Sequence, residues 1–490
     1  MVASTLALKQ EYQQDVDFDV LPQDEVKWCT VSLSDVINAN KRLEAVVFEV
    51  EGKHAREVIA NCKWESVPLY GTEGLTTAYT SGRFKRIWLE SSDLPIYQPS
   101  SITDIKPTPD GYLSAATKVN IDALRVHKGQ ILLTCSGTIG KVSLVSDTLD
   151  NKIFSHDLIR VDAKEAEDIG FIYAYLRSNI GNTILQTNRY GSVIQHIEPA
   201  HLAEVPIPNP PGTIKAQINE LVMRSFSLRD ESNNLIDQAT ALLVDALKLP
   251  PISDFSVSRF NANSDVNNYN VKLSELSGRI DGSYHVPIVA AIKEHLNKHA
   301  AEVTTVGDDR ISKDIILPGR FKRVYVAEGQ GQVFFSGKDI MELDPVDKKY
   351  LSFSQHSKRI KDQLTIHQNM ILVTCSGSVG KVALVPKHWD NWTMTHDIIR
   401  LVPQADESGY LFTWLQSPYA YRLIEAMAYG SVVPHIEISH IRQIPVPILR
   451  DTDVQSEINR IALEANKLRY QAYQFEQDAM QLLNDKVISA

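Results

Sequence analysis

Length, composition and charge exclude several classes of protein. The chain has 490 residues, of which 43% are hydrophobic and 22% charged, a composition typical of globular proteins. At about 150 residues per domain this length predicts two to four domains. The sequence has no apolar run of the roughly 18–20 residues that a membrane-spanning helix needs. Its first residues lack the basic leader and the long apolar stretch of a signal peptide.

The net charge of −10 argues against a protein that binds nucleic acid over its whole surface. Any DNA contact therefore has to come from local basic clusters, and the acidic remainder suits contacts with a basic protein partner. Four cysteines do not make a disulfide framework. Cys135 and Cys375 occupy matched positions in two similar segments, which predicts buried thiols and a cytoplasmic protein.

An internal repeat predicts the architecture. Residues 131–145 read ILLTCSGTIGKVSLV and residues 371–385 read ILVTCSGSVGKVALV, with four conservative differences. The match extends through four further pairs of segments: 31–35 with 271–275, 82–88 with 319–325, 155–160 with 395–400, and 190–208 with 429–447. A match this long indicates a tandem duplication. We therefore predict an α+β fold with two copies of one unit, a mixed α/β head followed by a long helix.

The copies divide the chain in order. We predict an N-terminal arm (1–30), a first head (31–212), a first long helix (213–250), a polar linker rich in Asn and Ser (251–270), a second head (271–450) and a second long helix (451–490). Apolar and β-branched runs at 131–135, 142–146 and 204–208 predict strands. Apolar residues at helical spacing across 171–185 and 410–427 predict one helix in each head.

Both long helices carry the same heptad pattern. A large apolar residue recurs every seven positions, with a small residue between each pair. The large residues are Leu221, Leu228, Leu235 and Leu242, and Ile461, Leu468, Phe475 and Leu482; the small residues are Ser225, Ser232, Ala239 and Ala246, and Ala465, Ala472 and Ala479. This pattern is typical of a coiled-coil seam in which two backbones approach closely. Packing of each helix on its own head is the alternative, but matching heptads in both copies favour pairing of the helices.

Several motifs resemble those of enzymes but lack required residues. GTIGK at 137–141 is not a P-loop, because Cys135 and Val142 stand where that motif needs Gly and Ser or Thr. Asn209-Pro210-Pro211-Gly212 lacks the aromatic residue that adenine methyltransferases place after the prolines. Four histidines recur in each head at spacings that match no metal motif, so we expect no metal. Cys135 and Cys375 lie in apolar strands and are predicted to be core thiols rather than nucleophiles.

The remaining signals favour contact with DNA. Each head has a basic segment with interleaved aromatic residues, a small turn followed by Gly-Lys, and a Tyr-Gly-Ser loop. Arginine reads guanine edges, lysine neutralises phosphate, and a turn can offer backbone N–H groups to a phosphate. A solvated basic strand edge is the alternative for the basic segments. The predicted DNA-binding residues are Arg83, Lys85, Arg86, Ser136, Thr138, Lys141, Tyr190, Ser192 and His196 in the first head, and Arg320, Lys322, Arg323, Ser376, Ser378, Lys381, Tyr429, Ser431 and His435 in the second.

In its motifs and their order the chain resembles the specificity subunits of Type I restriction–modification systems. The likeness covers nearly the whole chain. The motifs that carry it are a strand before the small turn (128–132 and 368–372), an Arg-led start of each head (279–284 and, degenerate, 42–45), and an exit strand followed by Gln217-Ile218. The sequence departs from the family at Ala216, where glutamate is usual, and in the second copy, which has Gln455 with Ile458.

The resemblance implies two target-recognition domains, each reading one half of a bipartite DNA site, with an antiparallel coiled coil fixing the gap. Helices of about 54 Å correspond to roughly 15 base pairs. It also implies a non-catalytic subunit that binds two methyltransferase subunits and, in some systems, a translocating restriction subunit. S-adenosylmethionine would be the cofactor of the partner methyltransferase, which flips an adenine, and this chain would hold none.

Three questions stay open at this stage. The heads share their basic segments and turns but differ across 89–125 and 326–363. If the residues that contact bases lie in the shared parts, the two half-sites should be related as inverted sequences. If they lie in the differing parts, the half-sites should be unrelated. We expect a partial relation. A non-DNA scaffold with peptide-binding heads is the alternative function, and a stand-alone methyltransferase or nuclease is a weaker one. Restriction and methylation-only systems are not distinguished by this subunit.

Overall fold

The computed structural model describes residues 30–38, 41–191, 193–257, 268–276, 278–346, 348–404 and 407–490. The predicted N-terminal arm lies outside these ranges except for residue 30. The first head contains helices α1 (Leu33–Asn38), α2 (Val50–Ala60), α3 (Ile169–Arg177) and α4 (Asn179–Thr187). Its strands are β1 (Ser66–Pro68), β2 (Thr76–Thr80), β3 (Trp88–Leu89), β4 (Pro95–Tyr97), β5 (Gly111–Leu113), β6 (Ile131–Thr134), β7 (Val142–Leu144), β8 (Ile153–Phe154), β9 (Leu158–Ala163) and β10 (Pro206–Pro208).

The first long helix, α5, spans Gly212–Ala246, and the second, α12, spans Thr452–Leu483. Between them lie α6 (Ile252–Val257), α7 (Pro287–His299), α8 (Phe353–Arg359), α9 (Ser408–Gln416), α10 (Pro418–Met427) and α11 (Ile438–Ile441). The strands of the second head are β11 (Glu302–Thr305), β12 (Ser312–Ile316), β13 (Tyr325–Val326), β14 (Gly331–Phe335), β15 (Lys349–Ser352), β16 (Ile371–Thr374), β17 (Val382–Leu384), β18 (Thr393–Met394), β19 (Ile398–Pro403) and β20 (Pro445–Ile448).

The two heads have the same sheet topology. The first contains four-stranded sheets of order β2-β9-β6-β7 and β3-β5-β4-β8 and the pair β1-β10. The second contains four-stranded sheets of order β12-β19-β16-β17 and β13-β15-β14-β18 and the pair β11-β20. The predicted tandem duplication of a mixed α/β head is therefore confirmed.

A central strand with both faces buried joins two cores in each head. In β6, Ile131 and Leu133 pack in the core that includes α3, while Leu132 lies on the other face with Tyr97 and Phe154. Successive side chains of a strand point to opposite faces, so a continuous apolar run is what a strand between two cores requires. Strand β16 repeats this arrangement in the second head.

A buried arginine at matched positions also links the two large sheets of each head. Arg160 and Arg400 are fully buried and donate to main-chain carbonyls, Arg160 to Leu124 at 3.0 Å and Arg400 to Met394 at 2.7 Å. Burial lowers the pKa of Arg400 to about 9. The repeated segments 155–160 and 395–400 thus end in a structural residue, because a guanidinium can satisfy several carbonyls at once.

The sequence predicted one helix over 171–185 and one over 410–427, and this is wrong. Each range contains two helices, separated at Ser178 in the first head and at Ser417 in the second. Both serines adopt extended backbone angles and accept a hydrogen bond from the N–H three residues later, from Gly181 and Ala420 respectively. An N-cap serine of this kind begins a new helix, and it interrupts an apolar pattern that otherwise continues.

The predicted linker, 251–270, is partly folded in the described part of the chain. Helix α6 occupies its start, and Phe255 is buried between His295 and Tyr419 of the second head. An aromatic side chain packed in this way anchors the chain as it enters the second head.

The two long helices pair in an antiparallel direction, as predicted. Val222, near the start of α5, shares a core with Leu483 at the end of α12. Leu243, near the end of α5, shares another core with Ile458 near the start of α12. The helices approach most closely at small residues: the Ser225 hydroxyl donates to the carbonyl of Ala472 at 2.7 Å. Each head therefore contacts the ends of both helices.

The eight large heptad residues lie beside this contact rather than at its centre. The structure places them in clusters that contain side chains from both helices and from the heads. Leu228, Leu235, Leu468 and Phe475 share a cluster with Ile105 and Leu343, Leu221 and Leu482 lie against the core of the first head, and Leu242 and Ile461 lie in the core of the second. The helices thus pack both on each other and on the heads, which combines the two arrangements considered from the sequence.

A buried ionic network crosses the middle of the helix pair. Glu476 of α12 accepts hydrogen bonds from Arg229 of α5 at 2.5 Å and from the Tyr173 hydroxyl of α3 at 2.6 Å. Arg177 lies 3.8 Å from Glu476 and donates to the Asp344 carbonyl at 2.9 Å. Burial opposes ionisation of Glu476, but the charges of the two arginines outweigh it and the pKa of Glu476 is lowered. The network therefore joins both heads and both helices through charged groups.

Enlarging the small residue at the helix contact should separate the helices. We expect Ala472→Leu to destabilise the protein by roughly 1–3 kcal/mol, because a fully buried alanine against the other backbone leaves no space for a larger side chain. Urea unfolding monitored by circular dichroism measures the effect. Gln474→Leu is the matched control, since residue 474 is exposed on the same helix. Equal stability of the two variants would contradict the close approach of the helices.

Removing the charge of Glu476 should destabilise the protein in a pH-dependent way. Glu476→Gln leaves Arg229 without a carboxylate and Arg177 with only Asp344, and breaking a buried pair costs about 3–5 kcal/mol. The folded-state pKa is lowered from 4.5, so this carboxylate stabilises the fold above pH 4.5 and the contribution is lost as pH falls through the lowered pKa. The melting temperatures of both proteins, measured from pH 7 down to about pH 2, should therefore differ by a constant amount above pH 4.5 and converge below it. A difference that stays constant over this whole range would contradict this role.

Candidate nucleic-acid interface

An extended basic segment leads into the second sheet of the first head. Arg83 and Lys85 are exposed, while Arg86 is half-buried with its guanidinium 5.8 Å from the ring centre of Phe84. The interpretation of this segment as a strand is wrong, because strand β3 begins only at Trp88. The packing of Arg86 against an aromatic ring leaves two exposed cations at the surface.

The second head repeats this arrangement. Arg320 and Lys322 are exposed, and Arg323 donates to the Thr395 hydroxyl at 3.0 Å and lies 3.2 Å from Nδ1 of His396. In each head, therefore, the third cation of the segment is held by the protein and the first two face solvent.

The small turns use their backbone N–H groups internally. Gly137 and Gly377 have φ of 71° and 73°, a left-handed conformation that favours glycine. The N–H of Gly137 donates to the Gln195 carbonyl, and the N–H groups of Gly140 and Lys141 donate to Thr134. The idea that this turn offers N–H groups to a phosphate is therefore wrong for these three groups. Their role is to hold the turn against the following loop.

The lysines of the two turns face the junction between the heads. Lys141 is paired at 2.5 Å with Glu342 of the second head, a side chain that is 5% exposed. Lys381, its counterpart, lies near Asp104 of the first head. Burial raises the pKa of Asp104 to about 7, although the charges of Lys381 and Lys141 act in the opposite direction. Since the Lys141–Glu342 pair is largely buried, the structure favours a structural role for Lys141, and its contact with phosphate stays a prediction.

Each Tyr-Gly-Ser loop forms a hairpin that lies against the small turn. In the first head Tyr190 pairs with His196, and His196 also bridges to Ser136. The Tyr190 hydroxyl donates to Glu198 at 2.5 Å, and this hydrogen bond raises the pKa of Tyr190. Residue 192, one of the predicted DNA-binding serines, lies outside the described residues. The predicted turn and loop are therefore brought together as one structure.

The hairpin of the second head repeats these contacts. Tyr429 pairs with His435, His435 bridges to Ser376, and the Tyr429 hydroxyl donates to Glu437 at 2.5 Å. Ser431 is exposed in the hairpin loop. The two heads thus present the same loop from equivalent positions.

The basic segment, the turn and the hairpin converge at one surface of the first head. The Phe84 ring lies 6.0 Å from the His156 ring, the Ile197 N–H at the end of the hairpin donates to the Cys135 carbonyl just before the turn, and Arg83 lies near Tyr190. In the second head Arg323 donates to the Thr395 hydroxyl, the Cys375 N–H donates to the Asp397 carbonyl at 3.2 Å, and Ser376 bridges to His435 of the hairpin. We call the surface formed in each head by the basic segment, the turn and the base of the hairpin the basic face.

A His-Asp pair beside each basic segment was missed as part of this surface. Nε2 of His156 lies 3.4 Å from Asp157, and Nε2 of His396 lies 3.3 Å from Asp397. Burial lowers the pKa of His156; Asp157 opposes this effect, while Arg86 and Arg83 add to it. The repeated sequence Ser/Thr-His-Asp was visible, but only the fold places it next to the arginines.

The two matched cysteines are core residues. Cys135 and Cys375 are buried, and burial raises the pKa of each thiol to about 12, as expected of core thiols.

In the described residues no group of three His, Cys, Asp or Glu side chains is arranged to hold a metal ion. None of the helices that the structure describes combines the length and the apolar character needed to cross a membrane.

Comparison with known proteins assigns the family. The Type I restriction modification DNA specificity domain matches residues 89–236 and 327–461, which is one match in each repeat and more than half of the chain. The chain belongs to this family of DNA specificity domains. Both matches include the small turn, the hairpin and part of a long helix, whereas the exposed cations of the basic segments lie just before them.

Three solved structures are similar to this chain at low identity. The S subunit of a Type I restriction-modification system from M. genitalium is 15% identical over 86% of this chain and 93% of its own, with a TM-score of 0.32. The HsdS subunit from Thermoanaerobacter tengcongensis is 15% identical over 85% of this chain and 97% of its own, with a TM-score of 0.25. A third, from work on complex assembly and conformational transition of the type I R-M system, is 13% identical over 85% of this chain and 98% of its own, with a TM-score of 0.26. No curated protein matches the sequence.

The buried lysine pair gives a test that separates a structural role from a phosphate contact. We expect Lys141→Met to destabilise the protein by about 3 kcal/mol, because it leaves the Glu342 carboxylate buried without a partner. The double variant Lys141→Met/Glu342→Gln should recover part of the loss, since no uncompensated charge remains. Thermal unfolding measures both effects. A Lys141→Met variant with unchanged stability and weaker, less salt-dependent DNA binding would restore the phosphate role.

Proposed function

We propose that this chain is the specificity subunit of a Type I modification complex. Each head reads one half of a bipartite DNA site and directs an adenine methyltransferase to it. The observation that carries the proposal is the duplicated basic face: in a chain of net charge −10, two exposed cations stand at the same place in each of two heads held by one helix pair. The family match over both repeats supports the same conclusion.

The antiparallel helix pair supports a fixed distance between the half-sites. Helix α5 has 35 residues, which corresponds to about 52 Å at 1.5 Å per residue. That length spans roughly 15 base pairs of duplex at ~3.4 Å each. The ionic network around Glu476 supports a rigid spacing, because it ties both heads to the middle of the pair.

In this proposal the partner subunits carry out the catalysis. Two methyltransferase subunits would bind S-adenosylmethionine and flip the target adenine, with restriction subunits added in some systems. This chain would supply recognition and no catalytic group, and the complex would act in the cytoplasm. The buried, high-pKa thiols of Cys135 and Cys375 support a non-catalytic role, since a thiolate is the reactive form of cysteine.

Methylation mapping tests the proposal directly. The chain is expressed with its methyltransferase, and methylated adenines are mapped on plasmid DNA with and without the chain. We expect a bipartite methylated motif that disappears when the chain is omitted. Regions 89–125 and 326–363 form much of the second sheet beside each basic segment, so differing half-sites would assign base reading to that sheet. Methylation that persists unchanged without the chain would contradict the proposal and favour the scaffold alternative.

Single-cation variants test the basic face. We expect Arg83→Ala and Arg320→Ala each to reduce the slope of log affinity against log salt by about 0.9, because each removes one phosphate contact. Fluorescence anisotropy with a labelled duplex carrying the mapped motif, in 50–300 mM KCl, measures the slope. Lys298→Ala is the control: its side chain is exposed on α7, outside the basic face. A slope unchanged in both arginine variants would exclude these residues from the DNA contact.

A further inference from the structure

The tip of each hairpin exposes two neighbouring aliphatic side chains. In the first head Val193 is 93% exposed and Ile194 is 56% exposed. In the second head Val432 is 90% exposed and Val433 is 54% exposed. Exposed apolar residues scattered singly are common on protein surfaces, but a matched pair at the same place in both repeats indicates a contact that both heads make.

The segment at the start of each head adds a further exposed apolar residue close to the base of the hairpin. Arg42 donates to the carbonyls of Asn188 and Arg189, at the base of the first hairpin, and the adjacent Leu43 is 79% exposed. This arginine therefore fixes the segment beside the hairpin.

The second head has the same arrangement. Arg279 donates to the carbonyls of Met427 and Ala428, at the base of the second hairpin, and Ile280 is 88% exposed. We call each hairpin tip with its adjoining segment the apolar edge of that head.

The charges around the apolar edge do not suit a phosphate backbone. Arg42 is paired with Glu44 and Arg189 with Glu49, so both arginines are neutralised by the protein. Glu198, which is exposed and accepts a hydrogen bond from Tyr190, adds a carboxylate at the hairpin base. Nucleic acid binding depends on cations that replace counterions, and these lie instead on the basic face, at Arg83 and its neighbours.

The charges around the apolar edge of the second head also do not suit a phosphate backbone. Arg279 is paired with Asp281, and Glu437 is exposed at the base of the hairpin. A surface with exposed aliphatic side chains surrounded by paired charges is typical of a protein interface with an apolar centre and a polar rim.

We propose that the apolar edge of each head docks a protein subunit through an apolar patch on that subunit, one copy per head. The inference rests on the proposed function, in which the subunit is the adenine methyltransferase. The duplication requires the same partner twice, because the same side chains are displayed from equivalent positions. Tyr190, at the hairpin base, lies near Arg83, so a subunit docked there sits beside the DNA that the basic face holds.

Hairpin variants of the full-length chain test the proposal. The variants are Val193→Ser/Ile194→Ser, Val432→Ser/Val433→Ser and the four substitutions together. The probe is the methyltransferase subunit that co-purifies with the wild-type chain, and light scattering after gel filtration gives the number bound. We expect two copies on the wild type, one on each double variant and none on the quadruple variant, with affinity at a substituted hairpin reduced about tenfold or more. Phe353→Ser is the control, since Phe353 is 55% exposed and belongs to neither apolar edge.

The other outcomes distinguish failure of the docking surface from failure of the proposed function. The quadruple variant should bind the duplex with the affinity and salt slope of the wild type; lost DNA affinity with two methyltransferases retained would assign the hairpins to DNA and overturn the docking surface. A quadruple variant that keeps two copies and full DNA affinity would overturn it as well, and leave the proposed function standing. A wild-type chain that retains no methyltransferase and binds no duplex would overturn both.

Discussion

The close approach of the two long helices is the constraint on which the rest of the structure depends. A serine hydroxyl of α5 reaches a backbone carbonyl of α12 at 2.7 Å, which is possible only because Ser225 and Ala472 are small. The large heptad residues on either side then pack both on the other helix and on the heads. The helices therefore fix each other and, through the flanking residues, fix both heads.

Buried charge adds a second constraint on the same region. Glu476, Arg229 and Arg177 are drawn from both helices and one head, and Asp344 adds the other. Taking such groups out of water is costly, so this network contributes less to stability than an apolar core of equal size would. Each of its ion pairs joins groups on different elements, however, so a shift of one element relative to the others would break a pair. The network thus supports a defined distance between the heads, as reading two half-sites requires.

The division of charge between surfaces explains how an acidic chain can contact DNA. Arginines near the hairpins are neutralised by carboxylates, and the turn lysine Lys141 is paired with Glu342. Arg83 and Arg320 of the basic segments are exposed. In the proposed function, a local positive field of this kind would attract a duplex to the basic face and leave the adjoining apolar edge for a protein. DNA and a partner subunit would then bind side by side on each head.

The sequence by itself determined the features that depend on local pattern or on self-comparison. The duplication was visible in the repeated CSG turns, and the pairing of the two long helices in matched heptads with small residues. Strands such as β6 followed from short apolar runs. These features are encoded by neighbouring residues, so no long-range information is needed to find them.

Only the tertiary structure decided which charged and apolar side chains are available. Lys141 and Glu342 are 201 positions apart, and no local pattern shows that one neutralises the other. Nothing in the local sequence distinguishes Arg160 from an exposed arginine, and it is buried only because two sheets enclose it. Val193 and Ile194 resemble core residues in sequence, yet they stand exposed at a hairpin tip. Burial depends on which segments the fold brings together. The residue types of the candidate site could therefore be predicted from the sequence, whereas the residues that pair with them or cover them could not.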